Sequence, residues 1–461
     1  MAKRLTYRIE DKPGLLASMG LGFQQYLTMF GSTVAIPLIL AESLGLKERP
    51  QELAWLIGTM FVVSGITTLI QTTVGNRLPL VQGGTFSFLT PAITICGMAS
   101  LADAGFEVRM QHIQGAIILG SVFEIVIGAT GLVGRMLRFV GPVTIAPTIA
   151  LIGLALFKFG APVAGKHWGI GGLTIGLVIV FSQILSKRSK VFALFPILLA
   201  ILVAWGMAAF GTWLDWFPTG HAAHVTVEPI ANAEWFRTPY PFQWGWPVFG
   251  AAAFVAMLAG YMASVVESVG DYYACARMAD APPPTKEKVS RGILAEGVGC
   301  LIAGIFGTGN GTTSYSENIG AIGLTGVASR KVIQFGAGIM IVLGLFGKFG
   351  ALFATMPAPI VGGMYCVMFG MIAAVGLSNL QFVDLNSSRN LFVIGFALFM
   401  GLSMPEYITE NPIAISPTWL SDILNTLGQT GMAVGAAIAL ILDNVLPGSR
   451  EERGLDAFNQ S

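Results

Sequence analysis

The sequence predicts an all-α polytopic membrane protein with fourteen transmembrane segments, arranged as two inverted sets of seven. Three observations support this fold class. The 461 residues are 54% hydrophobic and 11% charged, and the mean hydropathy is +0.71, far outside the balance of a soluble domain. Windows of membrane length divide the chain into fourteen apolar segments. Basic residues fall mainly on one side of that arrangement, as the positive-inside rule requires.

Each apolar segment approaches the length that a helix needs to cross the hydrocarbon core, about 20 residues. The segments cover approximately residues 14–41, 53–75, 79–100, 113–134, 137–158, 169–186, 191–211, 247–274, 292–307, 309–326, 332–350, 352–377, 390–408 and 428–447. With the N-terminus in the cytoplasm, 19 of the 26 lysines and arginines fall on the cytoplasmic side and 7 on the other. We therefore expect a plasma (inner) membrane protein with both termini in the cytoplasm.

A longer connection at about residues 212–246 divides the segments into two sets. The sequence thus predicts a first repeat at residues 1–245 and a second at residues 246–461. Because seven is an odd number, the second set enters the membrane from the opposite side. That is the requirement for an inverted-topology repeat.

Segments three and ten are poor continuous helices. Residues 78–91 and 309–320 are rich in glycine, threonine and aromatic residues, and the first stretch also contains two prolines. These residues favour extended backbone, so we expect a short strand to break each helix. Broken helices at equivalent positions in two repeats indicate a transporter binding site. The alternative is a pair of kinked packing helices, since glycine also permits close helix contact in membranes.

Five acidic residues cannot be assigned to a connecting loop, and each costs about 2.5–3.5 kcal/mol at a helix centre. They are Glu124, Glu267, Asp271, Glu296 and Glu317. Glu267 and Asp271 are four residues apart, so on a helix they share a face. Their mutual repulsion when ionised suits proton exchange or cation binding; the alternative is a buried pair satisfied by serines and amides. Glu124 has no polar cluster near it in the sequence, which favours a structural role.

Glu317 lies where segment ten is predicted to break. A carboxylate there accepts N–H groups of a ring, free backbone N–H groups donate to carbonyl oxygens, and Asn318 adds a donor and an acceptor. This combination fits the edge of a planar imide heterocycle, and it fits many other polar solutes equally well. Glu296 suits either helix bridging or proton relay, and Gln25 and Gln82 suit either packing or the site.

The sequence gives little support for enzymatic or metal-binding function. The four cysteines lack paired spacing and the four histidines fall in connecting segments, so neither a disulfide framework nor a zinc site is indicated. It contains no metal-ligand helix pair, nucleophile elbow or phosphate loop. We expect a protein without catalytic residues, bound metal or nucleic-acid partner, and without a cofactor beyond a co-transported cation.

The stretch that begins at Glu317 carries a recognisable motif. The motif is Gln, Glu or Pro, then Asn, any residue, Gly, four variable residues, Thr, and usually Arg, Lys or Gly. It is matched here by Glu317, Asn318, Gly320, Thr325 and Gly326. On this motif the chain resembles the nucleobase–ascorbate transporter family, also called nucleobase:cation symporter 2. The resemblance runs from the first segment through the last and includes residues 86–88, 267–271 and 376–382.

The resemblance implies a core domain of segments one to four and eight to eleven, and a gate domain of segments five to seven and twelve to fourteen. It also implies a homodimer in the lipid bilayer and an elevator-like displacement. By position, Glu267 and Glu317 match the side chains that bind the base in relatives, whereas Asp271 and Glu296 match positions linked to cation coupling or conformational change. The predicted substrate-binding residues are Gln82, Phe86, Ser87, Glu267, Ser316, Glu317 and Asn318, and the predicted coupling residues are Gln25, Asp271, Glu296 and Thr325.

The first motif position bears on the substrate. Relatives with glutamine there tend to take xanthine or urate, those with proline take ascorbate, and glutamate resembles carriers of uracil and broader nucleobase carriers. Glu317 therefore favours uracil or a related base, with a purine or ascorbate as the alternative.

The coupling ion stays open between H⁺ and Na⁺. Relatives usually carry Gln-His where this chain has Gln24-Gln25, and many bacterial uracil carriers have histidine at the position of Asp271. Residues 267–277 instead resemble the animal ascorbate and nucleobase carriers, among which sodium coupling occurs. An anion channel or exchanger with the same fold is the alternative from another class, and it is disfavoured because two carboxylates would repel an anion.

Overall fold

The structure is a computed structural model that describes residues 5–46, 48–136 and 139–455. Within these ranges, nine helices are long and apolar enough to cross a membrane, or ten if a pair bent by 89° near the C-terminus is one span. The protein is therefore a helical multi-pass membrane protein. Four of the basic residues counted in the sequence, Lys3, Arg4, Lys47 and Arg138, lie outside the described residues.

The described part of the first half contains ten α-helices and one strand, besides short 3-10 and π turns. They are α1 (Leu15–Leu44), α2 (Pro50–Thr73), β1 (Gln82–Gly83), α3 (Leu89–Cys96), α4 (Phe106–Thr130), α5 (Val133–Met136), α6 (Pro142–Leu154), α7 (Ala161–Ala164), α8 (Trp168–Ile179), α9 (Lys190–Leu194) and α10 (Pro196–Trp213). Prolines in the first turns of α2, α6 and α10 set a helical φ without losing a hydrogen bond. α1 ends at Gly45, whose φ of 75° closes the last turn.

The second half contains ten further helices and a second strand within the described residues. They are α11 (Glu228–Asn232), α12 (Ala251–Met278), α13 (Lys286–Phe306), β2 (Thr313–Ser314), α14 (Ser316–Thr325), α15 (Arg330–Leu345), α16 (Gly347–Ala354), α17 (Ala358–Ser378), α18 (Ser388–Glu410), α19 (Thr418–Gln429) and α20 (Gly431–Val445).

Every predicted apolar segment contains a helix, but several of these helices are short, broken or bent where the hydropathy pattern predicts one continuous span. Predicted segment 332–350 breaks at Phe346, between α15 and α16. The last predicted segment, residues 428–447, omits most of α19, because polar residues lower the hydropathy of that helix. In the structure α19 meets α20 at the 89° bend. With 8 and 10 residues, α3 and α14 are too short to cross a bilayer alone.

The extended backbone predicted in segments three and ten is present in both. β1 pairs with β2 in antiparallel register, with Gln82 opposite Ser314 and Gly83 opposite Thr313. Gly83 allows this approach because a Cβ there would lie 2.4 Å from the Tyr315 ring. The two broken segments therefore meet, and α3 and α14 both start close to the point where they pair.

Asparagine side chains complete the hydrogen bonding that this short ladder leaves unsatisfied. Asn310 Oδ1 accepts from the Thr85 N–H at 2.8 Å, and Asn310 Nδ2 donates to the Thr85 carbonyl at 3.0 Å. Asn318 Oδ1 accepts from the Val81 N–H at 3.0 Å. Buried backbone groups in an interrupted membrane helix need such partners, because lipid offers none.

Helix packing falls into two groups. α1–α4 contact mainly α12–α16, whereas α6–α8 contact mainly α17–α20, and α10 packs on α8. The α2–α15 contact places Gly58 against Gly344, backbone to backbone. Such contacts between small residues are a common way for membrane helices to associate.

The N-terminal segment before α1 runs along the connection between α14 and α15. Tyr7 forms a parallel bridge with Val327, and Arg330 forms an ion pair with Glu10. The hydrogen bond from the Arg330 guanidinium holds the pKa of the Glu10 carboxyl below its usual value. This segment thereby covers the far end of α14.

The glycine contact between α2 and α15 gives a direct test of the packing. A methyl group on Gly344 would lie 2.6 Å from the Gly58 oxygen and 2.8 Å from the Val62 nitrogen. We expect Gly344→Ala to lower stability by about 1–3 kcal/mol, as overpacking does, and to lower the melting temperature of the purified protein. On the same helix, Gly338 has open space around it, so Gly338→Ala should be neutral or stabilising. Equal melting temperatures for the two variants would contradict this packing.

Candidate functional site

Glu317 lies in the first turn of α14, directly after the strand crossing. α14 begins without a side-chain cap, so its first N–H groups lack partners within the helix. The Ser32 hydroxyl of α1 donates to Glu317 Oε1 at 2.5 Å. A carboxylate and free backbone donors are thus present at one place, and the carboxylate is held by a neighbouring helix.

A cavity of about 190 Å³ opens beside Glu317. On one side it is lined by α1 and α14, including Ser32 and Gly320, and on the other by residues 193–198 and Met371. Its volume corresponds to roughly six water molecules. Glu317 therefore faces a small space at the boundary between the two groups of packed helices.

Glu267 of α12 lies near the start of α3. The Ser87 hydroxyl donates to Glu267 Oε2 at 3.3 Å, and Phe86 packs edge-on against Phe369 with 5.9 Å between ring centroids. Glu267 is outside the lining of the cavity beside Glu317. The two carboxyl groups nevertheless interact electrostatically, so they belong to one charged region.

Asp271, one turn further along α12, connects that helix to the junction of β2 with α14. The Ser314 hydroxyl donates to Asp271 Oδ2 at 2.8 Å, and the Ser316 hydroxyl donates to Oδ1 at 3.0 Å. Each carboxylate oxygen thus has a hydroxyl donor. Asp271 therefore links α12 to the residues on both sides of Tyr315, directly before Glu317.

Glu296 of α13 is 1% exposed and accepts several hydroxyl donors. The donors are Ser264 at 3.0 Å, Ser268 at 2.6 Å, Thr313 at 3.1 Å and Tyr272 at 3.2 Å. The Ser268 oxygen also lies 3.1 Å from the Ser314 oxygen, and Ser314 donates to Asp271. The contact between Ser268 and Ser314 therefore brings the donors of Glu296 next to those of Asp271.

Oxygen is the only ligand type that this cluster offers. Carboxylate and hydroxyl oxygens suit protons and hard cations rather than zinc or other transition metals. Among the described residues, no three His, Cys, Asp or Glu side chains are placed to hold a metal ion. Asp271 and Glu296 are thus surrounded by carboxylate and hydroxyl oxygens.

The amide residues predicted for the site differ in their hydrogen bonds. Asn318 is fully buried, and its Nδ2 donates to Gln25 Oε1 at 3.2 Å. The Gln82 side chain is also buried, and neither its Oε1 nor its Nε2 has a hydrogen-bond partner among the described residues. Both polar atoms of the Gln82 amide are thus unused within the described structure.

Thr325 is not brought to the carboxylates. Its hydroxyl donates to the Ala321 carbonyl at 2.7 Å and accepts from the Val327 N–H at 3.2 Å. Eight residues separate it from Glu317, which is about 12 Å along a helix. The structure therefore places Thr325 at the C-terminal end of α14, where it stabilises the turn.

Apart from Ser87 and Ser316, the sequence did not single out the hydroxyl donors of the site. Ser264, Ser268 and Asp271 are spaced i, i+4 and i+7 on α12, so helical periodicity alone places them on one face. That spacing could have revealed the serines. Ser32 carries no comparable pattern, because it reaches Glu317 only through the packing of α1 on α14.

Known proteins resemble the chain over nearly its whole length. Residues 16–410 match a family described as "Permease family". The chain is 48% identical to Solute carrier family 23 member 2 of Mus musculus, over 99% of this chain and 76% of that protein. It is 47% identical to Solute carrier family 23 member 1 of Rattus norvegicus, over 98% and 82%. It is 38% identical to Nucleobase-ascorbate transporter 2 of Arabidopsis thaliana, over 96% and 88%.

Two solved structures resemble the fold. The transmembrane domain of the cyanobacterial bicarbonate transporter BicA superposes with a TM-score of 0.59 at 14% identity, covering 92% of this chain and 99% of that chain. SLC26A9 gives a TM-score of 0.63 at 12% identity, covering 93% and 65%. At such identities the likeness concerns the fold alone.

Both the permease match and the long relatives are consistent with the multi-pass helical fold described above. On these grounds the chain belongs to the nucleobase–ascorbate transporter family of permeases and is a membrane transporter, not an enzyme.

Proposed function

We propose that this transporter carries a nucleobase, uracil or a related base, together with H⁺ or Na⁺. The observation that carries the proposal is the position of Glu317, in the first turn of an uncapped helix and beside a small cavity. The carboxylate accepts ring N–H groups, and the free N–H groups of α14 donate to ring carbonyl oxygens. A pyrimidine with an imide edge presents both kinds of group together.

The charge of the site separates the substrate classes. Glu267, Asp271 and Glu317 interact with one another electrostatically. A neutral base adds no charge to this region, whereas ascorbate, an anion at neutral pH, would be repelled unless a cation entered with it. A purine such as xanthine or urate, or ascorbate, is the alternative within the family, and some relatives are named nucleobase-ascorbate transporters.

Asp271 and Glu296 are the proposed coupling residues. Hydroxyl groups link them, and Ser314 and Ser316 tie Asp271 to the start of α14. Binding of H⁺ or Na⁺ at this cluster would change its charge directly beside the substrate groups. That proximity supports coupling between ion and base.

The packing supports an elevator-like mechanism. In the proposal, fourteen spans form a 7+7 inverted repeat at residues 1–245 and 246–461, and α1–α4 with α12–α16 form the core that moves against a gate of α6–α10 with α17–α20. The cavity beside Glu317 lies between these two groups. The proposal also includes a homodimer in the plasma (inner) membrane with both termini in the cytoplasm.

An anion exchanger is the second candidate function. It is motivated by the fold, which resembles that of the bicarbonate transporter BicA. Carboxylates at the start of α14 argue against an anion pocket, because they would repel the anion. Electrical recordings with an uncoupled anion current would favour this alternative.

We expect Glu317→Gln to weaken uracil binding by about 10- to 100-fold, because a hydrogen bond to a charged group contributes about 1.5–3 kcal/mol. The new amide should also favour oxopurines. Radiolabelled uptake into liposomes, with competing bases, measures both effects. Glu410→Gln, an exposed carboxylate at the end of α18, is the control. Unchanged uracil affinity in Glu317→Gln would exclude Glu317 from the site.

We expect Asp271→Asn to abolish gradient-driven accumulation while exchange of internal for external base continues. Asparagine keeps one acceptor for the serine hydroxyls but removes the negative charge that a cation needs. Accumulation is measured under a Na⁺ gradient and, separately, a proton gradient, which also identifies the ion. Asp280→Asn, just beyond the same helix and exposed, is the matched control. Wild-type accumulation in Asp271→Asn would contradict a coupling role.

The proposed topology predicts which side of the membrane each connection faces. In a Cys366→Ala background, where the other three cysteines are buried, Glu228→Cys should react with an impermeant thiol reagent on intact cells. Lys187→Cys should react only after lysis. Reaction of Lys187→Cys in intact cells would overturn the fourteen-span arrangement.

A further inference from the structure

Glu124 of α4 is a buried carboxyl group that the proposed transport function does not use. Its side chain is 0% exposed, and neither Oε1 nor Oε2 has a hydrogen-bond partner in the described part of the chain. An ionised carboxylate without partners is strongly disfavoured away from water, and such a group becomes neutral instead.

The groups that face Glu124 offer it at most the Cys300 thiol, which is a weak donor. They are Cys300 and Glu296 from α13 and Tyr261 and Tyr272 from α12. The Cys300 thiol donates to the Thr312 carbonyl at 3.3 Å, the Tyr261 hydroxyl to the Ile117 carbonyl at 2.7 Å, and the Tyr272 hydroxyl to Glu296 at 3.2 Å. Within the described residues, no lysine, arginine or histidine forms an ion pair with Glu124.

Glu296 has the opposite environment. Serine, threonine and tyrosine hydroxyls donate to both of its oxygens, which is the arrangement that stabilises an anion. Two interacting carboxyl groups with such different surroundings take different protonation states. The donors therefore place the negative charge on Glu296.

Close helix packing holds the two groups next to each other. A Cβ on Gly297 would lie 2.8 Å from the Ile125 nitrogen and 3.2 Å from the Glu124 carbonyl carbon. The backbones of α4 and α13 thus touch at this pair. Glu124 consequently cannot gain a water-exposed position without separating two helices.

We propose that Glu124 carries a proton and forms with Glu296 a carboxyl pair whose single negative charge lies on Glu296. No hydrogen bond joins the two groups among the described residues, so the proton stays on Glu124 and the pair keeps a charge of −1. Glu124 is in this sense a positioning residue, because it acts on transport only through Glu296. Its effect on transport rests on the proposed coupling role of Glu296, whereas the proton on Glu124 can be tested without transport.

A proton held by the folded protein has a thermodynamic consequence. At neutral pH the unfolded chain releases it, so the folded state binds more protons and stability falls as pH rises. Glu124→Gln keeps a neutral side chain of the same shape and has no proton to release. Wild-type protein should therefore lose more stability than Glu124→Gln as pH rises.

The experiment compares melting temperatures of full-length protein from about pH 6 to pH 9, a range well above the ordinary pKa of glutamate. We expect a smaller decline in Glu124→Gln, and also in Glu124→Leu, which serves if the first variant folds poorly. Glu107→Gln, an exposed carboxylate on the same helix, should decline as wild type does. Equal declines in wild type and both Glu124 variants would overturn the proposal.

Infrared spectroscopy assigns the proton directly. The carbonyl stretch of a protonated carboxyl group should weaken in Glu124→Gln and remain in Glu107→Gln. A band of full intensity in Glu124→Gln would overturn the proposal.

In liposomes, the alkaline limit of uptake should move to higher pH in Glu124→Gln, because no second charge develops beside Glu296. Identical alkaline limits would overturn the positioning role. Absence of base uptake by wild-type protein would instead count against the proposed function and leave the proton assignment to the other two measurements.

Discussion

The structure depends on the short antiparallel pairing of β1 with β2, where two interrupted helices meet. Inside a bilayer every backbone N–H and C=O group needs an internal partner, so a break in a helix persists only where protein satisfies it. Asn310 and Asn318 do this for the two broken segments. The same break leaves α14 uncapped beside Glu317, so the interruption that needs stabilising also provides groups for a ligand.

Environment gives the membrane-embedded acids different roles. Glu317 faces a cavity with one serine donor, whereas Asp271 and Glu296 are surrounded by hydroxyl groups. Among the described residues, Glu124 has no hydrogen-bond partner. All four are carboxyl groups on membrane helices, and in the proposed mechanism their neighbouring donors decide which of them binds, couples or stays neutral.

The broken helices and the motif residues were predictable from the sequence because their cues are local. Glycine, proline and threonine disfavour a continuous helix wherever it lies, and both predicted strands are present. The motif contains both Glu317 and Asn318, but in the structure their side chains contact different groups. Asn318 bonds to Val81 and Gln25, while Glu317 faces the cavity. The break at Phe346 and the bend before α20 followed from packing and left no clear pattern in hydropathy.

By itself, the sequence determined the membrane class, the apolar segments, the family and the positions of the intramembrane acids, because hydropathy and motif spacing are properties of neighbouring residues. Only the tertiary structure decided which groups meet. Ser32 and Glu317 are 285 residues apart in the chain, and Glu124 faces Glu296 through the contact of α4 with α13. Such pairs form because packed helices bring distant residues together, and no local pattern records the pairing.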